Sequence, residues 1–181
     1  MQNRKMSVHE LCTIGIFAAM ISIFSPISIP MPYGVPMTLQ TLIIPLTGVI
    51  LGKKRSALAA TVYILLGAFG LPVFSSYTGG LGIILGPTGG FILSFPLMAF
   101  VSGIGAERGG IFRLFLGLLA GTLINYLCGM VVYSFVMAKD MYTAFITSVL
   151  PFIPVTIIKI ILSGILGIKC RDLLRKRRIS I

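Results

Sequence analysis

Charge is what this sequence has least of. Only 10% of its 181 residues are charged, 56% are hydrophobic, and the mean hydropathy is +1.04. A typical soluble domain carries about 25% charged residues. A surface this poor in charge cannot face water, so lipid must be the solvent. Acids are scarcer still: Glu10, Glu107, Asp140 and Asp172 are all there are, and each lies outside the apolar stretches. With no pair of carboxylates at membrane depth, the sequence argues against a carboxylate-driven proton antiporter. The one histidine, His9, sits at an apolar edge with no HExxH around it, which argues against a metalloprotease. Cys12, Cys128 and Cys170 are far apart and show no CxxC or metal spacing, so no metal site is expected. No Walker A lysine exists, and Gly80-x-Gly82-xxx-Gly86 is not the spacing of a dinucleotide fingerprint. An enzyme is not what these residues make.

What the chain does have is hydrophobic length. Six spans of ~17–20 residues would take roughly 110 residues, leaving only short loops. The expectation is a single membrane domain over residues 1–181: an all-α bundle of six transmembrane helices. The first stretch runs from about Leu11 to Phe24. It resembles a signal peptide after Arg4-Lys5, but no small-x-small cleavage site follows, so it reads as the first span. Pro26, Pro30, Pro32 and Pro36 cannot continue a helix. The second helix is expected from Met37 to Leu51, with Pro45 inside it, and the third from Ser56 to Leu71. The fourth spans Phe91 to Gly105, the fifth Leu114 to Met137, and the last Phe152 to Ile168.

The net charge of +11 would suggest nucleic acid in a soluble protein, but here the cations cluster at helix ends. No nucleic-acid partner is expected. With the N-terminus inside, the cytoplasmic face collects Arg4, Lys5, Lys53, Lys54, Arg55, Arg108, Arg113, Lys169, Arg171, Arg175, Lys176, Arg177 and Arg178. These are 13 of the 15 basic residues, and only Lys139 falls outside. Both termini are therefore expected in the cytoplasm.

Lys159 is the remaining cation, alone inside the last helix about a third of the way from its outer end. A lysine at the centre of a span costs about 2.5–3.5 kcal/mol, so it is normally paired or functional. Two readings stay open: a stem that snorkels to the interface, or a cation lining a cavity for an anionic or carbonyl-bearing ligand. Thr156 shares its helical face. The segment Val73 to Gly90 carries no formal charge and is dense in glycine. At 18 residues it is long for a mere connection and reads as an extracellular lid over a ligand. Small residues give the last signal. Gly15 and Ala19 form a small-xxx-small pair on the first helix, and Gly117, Gly121, Asn125 and Gly129 recur every four residues on the fifth. The second stripe suits packing within the chain; the first pair could equally meet another subunit.

Three segments together resemble one family. They are Thr38-Leu39-Gln40-Thr41-Leu42, Gly67-Ala68-Phe69-Gly70-Leu71-Pro72-Val73-Phe74, and Gly79-Gly80 followed by Leu85-Gly86-Pro87-Thr88-Gly89-Gly90-Phe91. In this order they are similar to BioY, the biotin-specific S-component of energy-coupling factor (ECF) transporters. The resemblance implies a substrate-capturing subunit of the bacterial plasma membrane that holds the vitamin near the outer face. It implies a transmembrane T-component and two ATPase subunits as partners, no cofactor, and biotin as ligand. Gly15 and Ala19 match the family's docking motif for those partners. The family's last helix usually begins Pro-Gly-Asp-x-x-Lys, whereas here Pro154-Val155-Thr156-Ile157-Ile158-Lys159 keeps the lysine and places Thr156 at the acid. A hydrogen bond to a charged group contributes ~1.5–3 kcal/mol, so a biotin-like or lipoate-like acid stands as the alternative ligand. A passive membrane scaffold is the weaker competitor.

The expected site gathers these pieces. Lys159 donates to the ligand, Thr156 and Asn125 add polar contacts, and Phe74, Ser75, Ser76 and Tyr77 form part of the lid. Gly79 and Gly80 offer exposed amides, and the pocket lies among the fourth, fifth and sixth helices.

Overall fold

Lys53-Lys54-Arg55 and Glu107-Arg108 coincide with helix ends, and the prolines at 26–36 fall in non-helical chain. A computed structural model describes residues 6–32 and 34–176. Arg4, Lys5, Arg177 and Arg178, counted above for orientation, lie outside the described residues, as do the side chains of Arg175 and Lys176. Helix α1 covers Val8–Phe24 and opens on a capping box. The Ser7 hydroxyl accepts from the Glu10 amide while the Glu10 carboxylate accepts from the Ser7 amide, so two orphan N–H groups are satisfied at once. After Ser25-Pro26 the chain is extended. Strands β1 (Ser28–Ile29) and β2 (Met37–Thr38) pair antiparallel, Ser28 opposite Thr38. The all-α expectation misses this small ladder, which forms because residues around prolines favour extended backbone.

Helices α2 (Gln40–Leu51) and α3 (Lys53–Ala68) are separated by one residue. Gly52 makes that reversal at φ 75°, and a side chain there would collide with the Glu107 carboxylate. Beyond α3 come a 3₁₀ turn at Ser75–Tyr77 and the short helices α4 (Leu81–Ile84) and α5 (Gly89–Leu93). Helix α6 covers Phe95–Glu107. The expected single helix from Phe91 is thus broken at Ser94. Pro96, at the start of α6, has no N–H to give to the Ile92 carbonyl, so the helix cannot run through.

Helix α7 spans Ile111–Val136. The connection beyond it folds into α8 (Met141–Ser148), capped by Asp140, whose carboxylate accepts from the Thr143 amide. A 3₁₀ turn, Leu150–Phe152, leads into α9 (Ile153–Lys176), which extends eight residues past the expected end at Ile168.

Helices α2 and α6 occupy the centre. Helix α6 packs on α2, α3 and α7, while α2 also meets α9, and α1 leans on α3. Glycines set the close approaches. A Cβ on Gly48 would lie 2.6 Å from the Ala99 carbonyl, and one on Gly105 would lie 2.8 Å from the Gly117 Cα. The stripe on α7 is used inside the chain: Gly117 faces Gly105, Gly121 faces Met98, and Gly129 faces the Phe91 ring. Gly15 and Ala19 on α1 are exposed instead.

The outer surface of the bundle is apolar. Ile16, Phe112, Leu127 and Phe135 are all exposed. Helix Ile111–Val136 and the stretch Met141–Leu174 are long and apolar enough to cross a bilayer; Val8–Phe24, Gln40–Leu51 and Phe95–Glu107 are apolar and shorter. The protein is a mostly helical membrane protein.

Candidate functional site

The site begins with a lysine that the helix pattern buries. On α9, Lys159 and Ser163 are four residues apart and therefore share a face. Both turn toward α2: the Ser163 hydroxyl donates to the Leu42 carbonyl at 2.9 Å. The Lys159 ammonium donates to the Thr38 carbonyl at 2.6 Å and to the Thr41 hydroxyl at 2.9 Å. Pro45 also contributes. It lacks the N–H that would bond the Thr41 carbonyl four residues earlier, so that carbonyl is left without its helical partner. Lys159 is 8% exposed and does not snorkel.

The strand that offers the Thr38 carbonyl is itself pinned. The Thr38 hydroxyl donates to Gln40 Oε1 at 3.0 Å, and Gln40 Nε2 donates to the Tyr63 hydroxyl at 2.7 Å on α3. The Tyr63 ring meets Phe74 edge-on, with centroids 5.7 Å apart, and lies tilted against Phe95. A polar chain therefore runs from α9 through β2 and α2 to the aromatic core. Buried polar groups paired in this way fix geometry, because each unpaired member would cost free energy.

One turn before the lysine on α9, the Thr156 hydroxyl is hydrogen-bonded to the Tyr126 hydroxyl of α7. Tyr126 stands edge-on to Phe91. The Asn125 amide donates at 2.8 Å both to the Phe91 carbonyl and to the Ser94 hydroxyl. It thereby holds the break between α5 and α6, where freed carbonyls need partners.

These groups line a cavity with about 590 Å³ of empty space, the open solvent at its mouth included. Room for the centre of a water molecule inside it amounts to only about 50 Å³, so the space is a narrow slot. Its walls come from residues 35–41, from Ser75 and Thr88, from Phe91, Ile92 and Phe95, and from Tyr126, Ser148, Phe152, Val155, Thr156 and Lys159. Apolar and aromatic walls with a few convergent polar groups are the composition of small-molecule sites. Lys159 is the one formally charged residue in this lining, and no carboxylate faces it there. An uncompensated cation in such a setting favours a ligand that brings one negative charge.

Of the residues expected from sequence, the structure brings Lys159, Thr156 and Ser75 together at this cavity. Phe74 is buried elsewhere, with its ring seated against Gly67 and Tyr63 in the core. Ser76 is not among the residues that line the cavity. Its amide donates to the Pro26 carbonyl and to the Ser28 hydroxyl, and its own hydroxyl is 2.9 Å from that of Ser28. Tyr77 points outward. Gly79 packs against the Leu71 carbonyl, and the Gly80 amide is already given to Gly67, so neither lines the cavity. Asn125 supports the wall from behind, and its Oδ1 has no partner among the described residues. The expected position among the fourth, fifth and sixth helices leaves out the wall supplied by residues 35–38, Gln40 and Thr41. Tyr126, Gln40 and Thr41 line the cavity and were missed as candidates by sequence reasoning. The Thr38–Thr41 stretch was visible as part of a motif, but nothing in it gave its direction.

A model of the BioY family matches residues 1–176. A protein of Thermotoga maritima named biotin transporter BioY is 38% identical over 167 residues, 92% of this chain and 98% of that one. A Pyrococcus horikoshii protein named probable biotin transporter BioY is 41% identical over 155 residues, covering 85% and 91%. Among solved structures, the S-component for biotin from an ECF-type ABC transporter superposes with a TM-score of 0.85. It is 27% identical and covers 93% of this chain and 95% of its own.

Proposed function

The chain belongs to the BioY family, and we propose on that footing that it captures biotin for uptake by an ECF transporter. It is the substrate-binding component, not an enzyme, and it needs no cofactor to bind. The observation that carries the reading is the cavity wall: one buried ammonium, hydroxyl donors at Thr41 and Thr156–Tyr126, aromatic faces, and no acid. Biotin carries one carboxylate, a polar ring and an apolar chain, and each finds a matching wall.

The finer architecture follows from charge and length. Six spans correspond to α1, α2, α3, α5–α6, α7 and α9, within one membrane domain over residues 1–181. Both termini lie in the cytoplasm of a bacterial cell, and the 72–90 segment lies toward the outer end of the bundle. A T-component and two ATPases supply the energy, since this chain carries no ATP motif. Exposed Gly15 and Ala19 on α1 form a surface smooth enough for a partner helix. Lys159 holds the ligand, with Thr156, Thr41 and Tyr126 as polar contacts and Ser75 at the mouth.

A second reading is favoured by the missing acid. Without a carboxylate in the lining, a biotin-like or lipoate-like acid fits the same charge pattern. Calorimetric titration of the purified protein with biotin, dethiobiotin and lipoate separates the two readings. Tight binding of biotin alone supports the first, lipoate binding more tightly supports the second, and silence from all three removes both. Mass spectrometry of the small molecule released from the purified protein gives an independent answer.

A further inference from the structure

Between Ser56 and Ala106 there is no aspartate, glutamate, lysine, arginine or histidine. The charges return together at the two ends of this hairpin, where the Lys53 ammonium meets the Glu107 carboxylate at 2.9 Å. Both ends therefore lie at one level, on the basic face of the protein. Helix α3 has 16 residues, which at 1.5 Å each rise about 24 Å from that level. The α5–α6 pair, residues 89–107, rises about 28 Å. The hydrocarbon core of a bilayer is about 30 Å thick, and any tilt shortens the reach further. The connecting segment thus begins and ends before the far boundary has been reached.

Its surface agrees with that depth. Phe69 is 86% exposed, Leu85 76% and Leu81 62%. No charged residue separates them from the exposed Leu58, Val62 and Leu65 on α3 or from the exposed Leu93 on α5 and Leu97 on α6. Its backbone agrees as well. Amides of Leu71, Val73, Phe74, Thr78, Gly80 and Leu85 all donate to carbonyls within the same hairpin. Water would satisfy such groups at an outer surface, whereas hydrocarbon requires them to be paired internally.

We propose that the segment Phe69–Thr88 is an intramembrane flap, its outward side chains Phe69, Leu81 and Leu85 seated among lipid acyl chains. The proposal rests on the membrane orientation given above. Within it, Ser75 and Thr88 line the ligand slot, and Ser76 is hydrogen-bonded to Ser28 of β1.

The test uses the full chain with Cys12, Cys128 and Cys170 replaced by serine and single cysteines introduced as Leu81→Cys, Leu85→Cys and Lys139→Cys. Intact cells are treated with a membrane-impermeant thiol reagent. A thiol moved into hydrocarbon loses reactivity about tenfold for each unit its pKa rises. The Leu81 and Leu85 variants are therefore expected to react at least about tenfold more slowly than the Lys139 variant. In nanodiscs, a bimane on either cysteine should be quenched by acyl-chain nitroxides and hardly by iodide. Labelling of both leucine positions as fast as Lys139→Cys, with iodide quenching, overturns the flap. Protection of Lys139→Cys from the outside overturns the orientation instead, and the nanodisc quenching still decides the flap, because it does not depend on sidedness. Two leucine positions keep the test intact if one variant fails to elute as a single species.

Discussion

The Lys159 ammonium on the last helix lies 2.6 Å from the Thr38 carbonyl, joining residues 121 positions apart in the chain. This contact ties the entrance of α2 to α9 and leaves a positive charge aimed into a slot with no acid in its lining.

Replacing Lys159 with methionine removes the charge and keeps most of the side-chain volume. Biotin affinity should fall by roughly 10–100-fold, the equivalent of ~1.5–3 kcal/mol for a hydrogen bond to a charged group. Stability without ligand should change by less than about 2 kcal/mol, because relief of the desolvation cost offsets the unpaired Thr38 carbonyl. Calorimetry and thermal unfolding of the same preparation check both. Unchanged affinity would remove Lys159 from the site.

The Thr156 and Tyr126 hydroxyls are bonded to each other at the cavity wall. Thr156→Val and Tyr126→Phe should each weaken binding, and the double variant should lose less than the sum. A coupling of about 0.5–3 kcal/mol is expected for groups in one network. Strict additivity in a double-mutant cycle of ligand affinities would show that the pair does not act together.

Gly67 gives the Phe74 ring its seat. A Cβ there would overlap the ring, and Phe74 is fully buried with no direction in which to yield. Gly67→Ala should destabilise the protein by about 1–3 kcal/mol, as overpacking does. A fluorescence-detected melting curve in detergent reads this directly, and an unchanged midpoint would place the ring elsewhere.

At the basic face, Glu107 accepts from the Lys53 amide at 2.9 Å and pairs with its ammonium. Burial pushes this carboxyl up, but the Lys53 amide and charge, with Arg171 farther off, outweigh it and hold the pKa below the usual 4.5. A lowered folded-state pKa contributes stability that is present above the unfolded value and is lost as pH falls through the folded one. The α2–α3 reversal should therefore weaken on acidification below about 4.5, by less than ~1 kcal/mol for so exposed a pair. Glu107→Gln should flatten that part of the pH–stability profile, and an identical profile would exclude the pair as its source.

Helix placement was legible because charge and proline mark where a lipid-solvated helix must stop. Lys53-Lys54-Arg55 and Glu107-Arg108 fall at helix ends, and the prolines at 26–36 fall in non-helical chain. The break at Ser94 was harder to see, since Pro96 is tolerated in a first turn and the surrounding residues are uniformly apolar. Within the candidate site, Lys159 stood out because a lone intramembrane cation is costly. Tyr126, Gln40 and Thr41 did not, because a single hydroxyl or amide in a helix is ordinary until its neighbours are known. Phe74 and Tyr77 show the same limit. Four consecutive loop residues point in different directions, and no periodicity assigns them when the backbone turns through positive φ at Ser76 and Tyr77.

The enclosure draws one wall from residues 35–41 and another from residues 148–159. A nascent chain halted before its final helix has inserted would hold the motif at 38–42 and the flap, yet have nowhere to put a vitamin. Capture therefore reports on completed biogenesis: retention of ligand by a detergent extract distinguishes finished subunits from every truncated or half-inserted precursor.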